Sequence, residues 1–114
     1  MIFTLVLLGI MLPVPTRAGN HNIASWYGGG EKLNECTANG EIFNPTELTC
    51  ASWDYPFGTM LKVTNTTSGR SVIVRVNDRG PNRRLGRAID LTKAAFAEIA
   101  KLGEGLIFVE IEKI

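Results

Sequence analysis

The stretch Val72-Ile73-Val74-Arg75-Val76-Asn77-Asp78-Arg79-Gly80-Pro81 decides the fold and carries the first candidate for chemistry. β-Branched residues alternate with others at period two, so the stretch begins as a strand. Val72, Val74 and Val76 share one face, and Ile73, Arg75 and Asn77 share the other. Arg79-Gly80-Pro81 ends it, because Gly and Pro both interrupt a ladder. Asp78 keeps the parity of the valines. If the valines face the core, its carboxyl projects towards apolar surroundings, where desolvation penalises the charged form. A proton-donating acid at a cleft edge is what cleavage of a sugar bond requires. An Asp that merely opens a turn explains the same residue, and the stretch alone leaves both readings open.

On the N-terminal side, Met60 to Asn65 alternates again with Leu61 and Val63 on one face. Thr66 to Arg70 reads as a turn, which makes the two strands a hairpin. Further out, Asn22 to Tyr27 and Leu48 to Ala51 read as strands. In the first, Ile23, Ser25 and Tyr27 face one way and Ala24 and Trp26 the other. Glu31 to Glu47 is polar and irregular, with Asn39-Gly40 a turn signal. On the C-terminal side, Ala88 to Leu91 is a short strand or strand end. Thr92 is placed to cap a helix from Lys93 to about Leu102, with Phe96, Ile99 and Ala100 as its apolar stripe and Gly103 at C′. Leu106 to Ile114 closes as a strand, with Ile107, Val109 and Ile111 inward. Many short strands separated by turn signals favour a small barrel. Val63, Val74, Val76, Ile89, Phe96, Ile99, Val109 and Ile111 are its expected core.

The 114 residues suffice for one domain, and a net charge of +1 carries no nucleic-acid footprint. Arg79, Arg83, Arg84 and Arg87 cluster locally, as a solvated loop or as a contact for an anion or glycan. Ile2 to Val14 is almost wholly apolar and leads to Thr16-Arg17-Ala18, a small-residue cleavage pattern. Residues 1–18 are therefore expected to be an export signal, and 19–114 the folded domain, periplasmic or extracellular. No Cys lies near the cleavage site, so no lipid anchor is expected. Cys36 and Cys50, an even pair in a small exported domain, are expected to form a disulfide. Its loop of about 15 residues is worth roughly 3 kcal/mol in the chain-entropy model. There is no C-x-x-C pair and only His21 for company, so neither metal nor cofactor is expected.

Seven motifs occur in order: Ala24-Ser25-Trp26-Tyr27-Gly28, Thr37-Ala38-Asn39-Gly40-Glu41-Ile42-Phe43-Asn44, Pro56-Phe57-Gly58-Thr59, Val63-Thr64-Asn65, Gly69-Arg70-Ser71-Val72, Val76-Asn77-Asp78-Arg79-Gly80-Pro81 and Ile89-Asp90-Leu91-Thr92. Together they closely resemble the rare lipoprotein A (RlpA) family of septal-ring lytic transglycosylases. The resemblance implies a mainly β fold, a six-stranded double-psi β-barrel with one short helix, related to expansins and barwin-like proteins. It also implies a peptidoglycan substrate, cut at the MurNAc–GlcNAc β-1,4 bond to leave 1,6-anhydro-MurNAc ends. The family's catalytic Asp falls on Asp78, and a second groove acid, important in the expansin branch, falls on Asp90. A local cap near the helix start explains Asp90 equally well. Many members carry a catalytic His shortly before Pro-Phe-Gly-Thr; here that position is Ser52, flanked by Trp53 and Asp54. Tyr27, Ser52, Trp53 and Arg79 are the expected substrate contacts, the two aromatics by stacking on sugar faces or, more blandly, by packing. The expected partners are glycan strands and cell-division or envelope proteins, met by a monomer. A non-catalytic, expansin-like glycan-binding module is the alternative reading.

Overall fold

The computed structural model describes residues 22–30 and 35–114; the expected export signal lies outside the described residues. Six strands form a closed barrel: β1 (Asn22–Tyr27), β2 (Thr49–Ala51), β3 (Met60–Asn65), β4 (Ser71–Asp78), β5 (Ile89–Thr92) and β6 (Ile107–Lys113), in the order β1-β5-β2-β4-β3-β6. β1 runs parallel to β5, and β2 parallel to β4; the other neighbours are antiparallel. This is the mainly β barrel that the alternation and the motif series imply. Closure leaves no sheet edge to protect.

The core follows the strand parity. Leu61, Val63, Val74, Val76, Ile89 and Leu91 are fully buried, with Val72 and Val109 nearly so. Of the expected core, only Ile111 stands partly exposed, towards the end of β6. The expected hairpin forms with Val63 opposite Val72 and Leu61 opposite Val74.

One helix, α1 (Lys93–Ile99), packs its Ala95, Phe96 and Ile99 against the barrel. Thr92 caps it as expected: its hydroxyl accepts from the Ala95 N–H and donates to the Glu47 carbonyl (2.6 Å). The helix stops earlier than the expected Leu102. Ala100 has left helical geometry at φ −161°, and Asn65 Nδ2 donates to the Ile99 carbonyl (2.8 Å), satisfying one of the orphan carbonyls of the last turn. Gly103 falls in a separate 3-10 turn (Leu102–Glu104) instead of capping α1.

Candidate functional site

A single register row builds the site. Ser25 on β1 pairs with Asp90 on β5, Asp90 with Ala51 on β2, and Ala51 with Asp78 on β4. Register partners share a face of the sheet. Ile89 and Leu91 point into the core, so Asp90 and its row face outwards. With neighbouring strands about 4.8 Å apart, the backbones of Asp78 and Asp90 stand roughly 10 Å apart with the small Ala51 side chain between them.

Asp78 is on this outer face for a reason that the strand's own alternation does not show. Cys50 pairs with Val76, but the next residue, Ala51, pairs with Asp78. The extra residue in β4 flips the parity after Val76. The apolar surroundings expected for Asp78 are therefore not what it meets. Its Oδ1 accepts from the backbone N–H of Ala38 and of Arg79, both at 2.9 Å. Its Oδ2 is approached by the Tyr27 hydroxyl at the long distance of 3.4 Å. Asp90 Oδ1 accepts from the Ser25 hydroxyl at 2.9 Å.

Around the two acids lies a groove of about 450 Å³, lined by Tyr27, Ala38, Phe43, Ala51, Arg79 and Pro81 among others. Tyr27 shares the outer face of β1 with Ser25 but is only 9% exposed, because Phe43 stacks on its ring at 4.9 Å between centroids. Of the two expectations for this ring, stacking on a sugar or packing, the Phe43 contact is packing, and Tyr27 presents its hydroxyl to Asp78. Burial, and then the charges of Asp78 and Asp90, push its phenol well above the ordinary value, so it stays a neutral donor.

The other expected contacts divide. Arg79 lines the groove, but its Nη1 donates to the carbonyls of Ser52 (2.7 Å) and Tyr55 (2.8 Å), and its guanidinium lies 3.9 Å over the Phe57 ring. It ties the segment around residues 52–57 to the end of β4. Ser52 is bound to Asp78 through the backbone, N–H to carbonyl at 3.1 Å. Its buried hydroxyl accepts from the Asp54 N–H, so it does not line the groove. Trp53 is 44% exposed at the groove's shoulder, its indole N–H on the Pro81 carbonyl (2.7 Å) and Arg83 stacked 5.1 Å above it.

The expected Cys36–Cys50 bond is not formed; both thiols are free. Cys50 faces the core, fully buried, while exposed Cys36 lines the groove on the outer face. β2 stands between them, and thiols on opposite sides of a strand do not meet bridging geometry. Burial, with a smaller contribution from Asp90, pushes the Cys50 thiol up to about 12.

The sequence reading also missed the loop that supplies Ala38. Glu41 accepts from both Arg75 terminal nitrogens, from Asn39 Nδ2 (2.7 Å) and from Asn77 Nδ2 (3.2 Å). An outward Arg on an apolar strand and a Glu in a polar loop were the signals, with nothing local to pair them.

A closed mixed barrel with two acids on one outer row defines the class, a double-psi β-barrel with an acidic groove. The family model described as Lytic transglycolase matches residues 20–111, and the chain belongs to that family. It is 48% identical over 97 residues to the probable endolytic peptidoglycan transglycosylase RlpA of Nostoc sp., covering 84% of this chain and 26% of that one. The endolytic peptidoglycan transglycosylase RlpA of Campylobacter jejuni is 47% identical, with 81% and 33% covered, and that of Neisseria meningitidis 43% identical, with 87% and 39% covered. The chain thus spans between about a quarter and two-fifths of these relatives' length. The fold matches a crystal structure of a mutant Clavibacter michiganensis expansin in complex with cellohexaose at a TM-score of 0.64 and 20% identity, covering 82% of this chain and 49% of that one. A Streptomyces papain inhibitor matches at a TM-score of 0.61 and 23% identity, covering 80% and 91%.

Proposed function

We propose that this domain is an endolytic lytic transglycosylase of peptidoglycan, exported to the periplasm or cell exterior, with Asp78 as its acid and base. The observation that carries the reading is the asymmetry of the Asp78 carboxyl. Oδ1 is occupied by two backbone N–H groups, while Oδ2 faces the groove with one long contact. A carboxyl fixed through one oxygen presents the other for proton transfer. With a glycan strand in the groove, Oδ2 delivers its proton to the GlcNAc O4 as the C1–O4 bond of MurNAc breaks. The same oxygen then takes the proton of the MurNAc C6 hydroxyl as O6 bonds to C1. The anhydro ring closes, no water is consumed, and Asp78 ends protonated as it began. Asp90, across Ala51, supplies negative charge where the sugar ring becomes positive. The relatives' names, endolytic peptidoglycan transglycosylases at 43–48% identity, support the substrate class and the type of reaction.

One observation favours a second reading. The position where the family resemblance implies a His holds Ser52, whose hydroxyl is turned away to the Asp54 N–H, so it adds no proton-transfer group to the groove. A groove with one acid short of a partner serves equally as a glycan-binding module. Incubation with glycan strands stripped of stem peptides, read by mass spectrometry, separates the two. Anhydro-ended fragments mean the enzyme; strands retained but uncut mean the binder.

A further inference from the structure

The turn that donates to Asp78 does not hold itself in place. Thr37 N–H reaches the Glu41 carbonyl (2.7 Å) and Gly40 N–H the Thr37 carbonyl (2.9 Å), closing a tight loop with Gly40 at φ +94°. Ala38 sits at its tip, and its N–H meets Asp78 Oδ1. Backbone docking of this loop on β4 amounts to one long bond, Asn39 N–H to the Asn77 carbonyl at 3.3 Å. The Glu41 carboxylate does the rest. It takes a bidentate pair from Arg75 and a further bond from Asn77, both on β4, together with one from Asn39 of the loop itself. Arg75, Asn77 and Asp78 lie on one strand. The carboxylate that grips the first two therefore fixes where Ala38 stands over the third.

We propose that Glu41 is a positioning residue for Asp78: its charged fork on Arg75 and Asn77 sets the loop so that the Ala38 N–H holds Oδ1 and leaves Oδ2 to the groove. The inference rests on the transglycosylase reading for its kinetic consequence, but not for its structural one. An exposed ion pair alone is worth little. Here a bidentate guanidinium and two amides converge on one carboxylate, a geometry that gives specificity of position as well as energy. A misplacement of about 1 Å at a reacting group costs on the order of 10²-fold in rate.

The test is Glu41→Gln, which keeps the shape and removes the charge and one acceptor oxygen. Two readouts are needed. The first is hydrogen exchange of the Ala38 amide, followed by NMR at one fixed pH. In the wild type its bond to Asp78 Oδ1 protects it, and Asp78→Ala, which removes the acceptor, abolishes that protection. In Glu41→Gln the protection falls by at least half. The second is turnover on denuded strands, where kcat falls about 10- to 100-fold with KM within about twofold. Retention of both the Ala38 protection and kcat in Glu41→Gln overturns the proposal. Should the wild type release no product, the transglycosylase reading fails and the amide protection alone decides the positioning role. Should Glu41→Gln melt below the assay temperature, Arg75→Gln, which leaves the loop's own bonds intact, is read by the same two criteria.

Discussion

Replacing Tyr27 by Phe removes one oxygen from the centre of the site and nothing else. The ring stays 4.9 Å from Phe43, so the packing under the groove is kept. What is lost is the hydroxyl that approaches Asp78 Oδ2 at 3.4 Å. That distance is at the weak end for an O–H donor. An ordinary hydrogen bond contributes a net 0.5–1.5 kcal/mol, roughly, so about 1 kcal/mol is the expected scale. If the bond orients Oδ2 for proton transfer, that scale is about fivefold in kcat. Stability should fall by no more, which is about 4–8 °C in Tm for a domain of this size. Tyr27→Ala is the contrast: stripping a ring that is 9% exposed should cost about 3–5 kcal/mol, as other large aromatic truncations do. The assay pairs thermal melts with product release from denuded strands. A loss beyond about 100-fold in a folded Tyr27→Phe would make the phenol itself a proton carrier. No change in rate would mean that the hydroxyl does not orient Asp78.

Three further outcomes follow from the same geometry. Native protein should titrate one thiol, exposed Cys36, and release buried Cys50 only on denaturation; no thiol even then would restore the disulfide. Arg75 first, then Asn39 and Asn77, hold the Glu41 carboxyl down at about 2 from 4.5. Its contribution to stability should be complete above about pH 4.5 and fade as pH falls towards 2; solvent screening keeps it small, and denaturant melts of Glu41→Gln should lack that component. Asn65→Ala removes the donor to the Ile99 carbonyl and the acceptor for the Thr67 N–H, at a buried position. It should cost about 1–3 kcal/mol in urea melts, and a loss under 0.5 kcal/mol would show that water replaces both bonds.

Local alternation was enough to read the strands, because each buries one face and the apolar residues recur at period two. The Thr92 cap was legible for the same reason, a local hydrogen bond between residues three apart. The motif series brought Asp78 and Asp90 together, and the register row shows why they meet: both pair with Ala51. The face of Asp78 was not legible, since a bulge is set by pairing with β2 and leaves no mark in β4 itself. The cysteines misled by their even count, which says nothing about which side of a strand each thiol takes. Glu41 and Arg75 lie 34 residues apart, and no spacing rule joins a loop carboxylate to a strand guanidinium at that distance. Tyr27 was picked out for its ring, whereas Phe43 covers the ring and leaves only the hydroxyl to the site.

The central claim is that Asp78 moves the proton. Wild type and Asp78→Asn should be compared on the same denuded glycan strands, with anhydro-ended products counted by mass spectrometry and strand binding measured in parallel. Asn keeps an acceptor oxygen for the Ala38 and Arg79 N–H groups but has no proton to give, so the account predicts an intact fold and retained binding. Product release should fall by about 10²–10⁴-fold. Full product release by Asp78→Asn would contradict it.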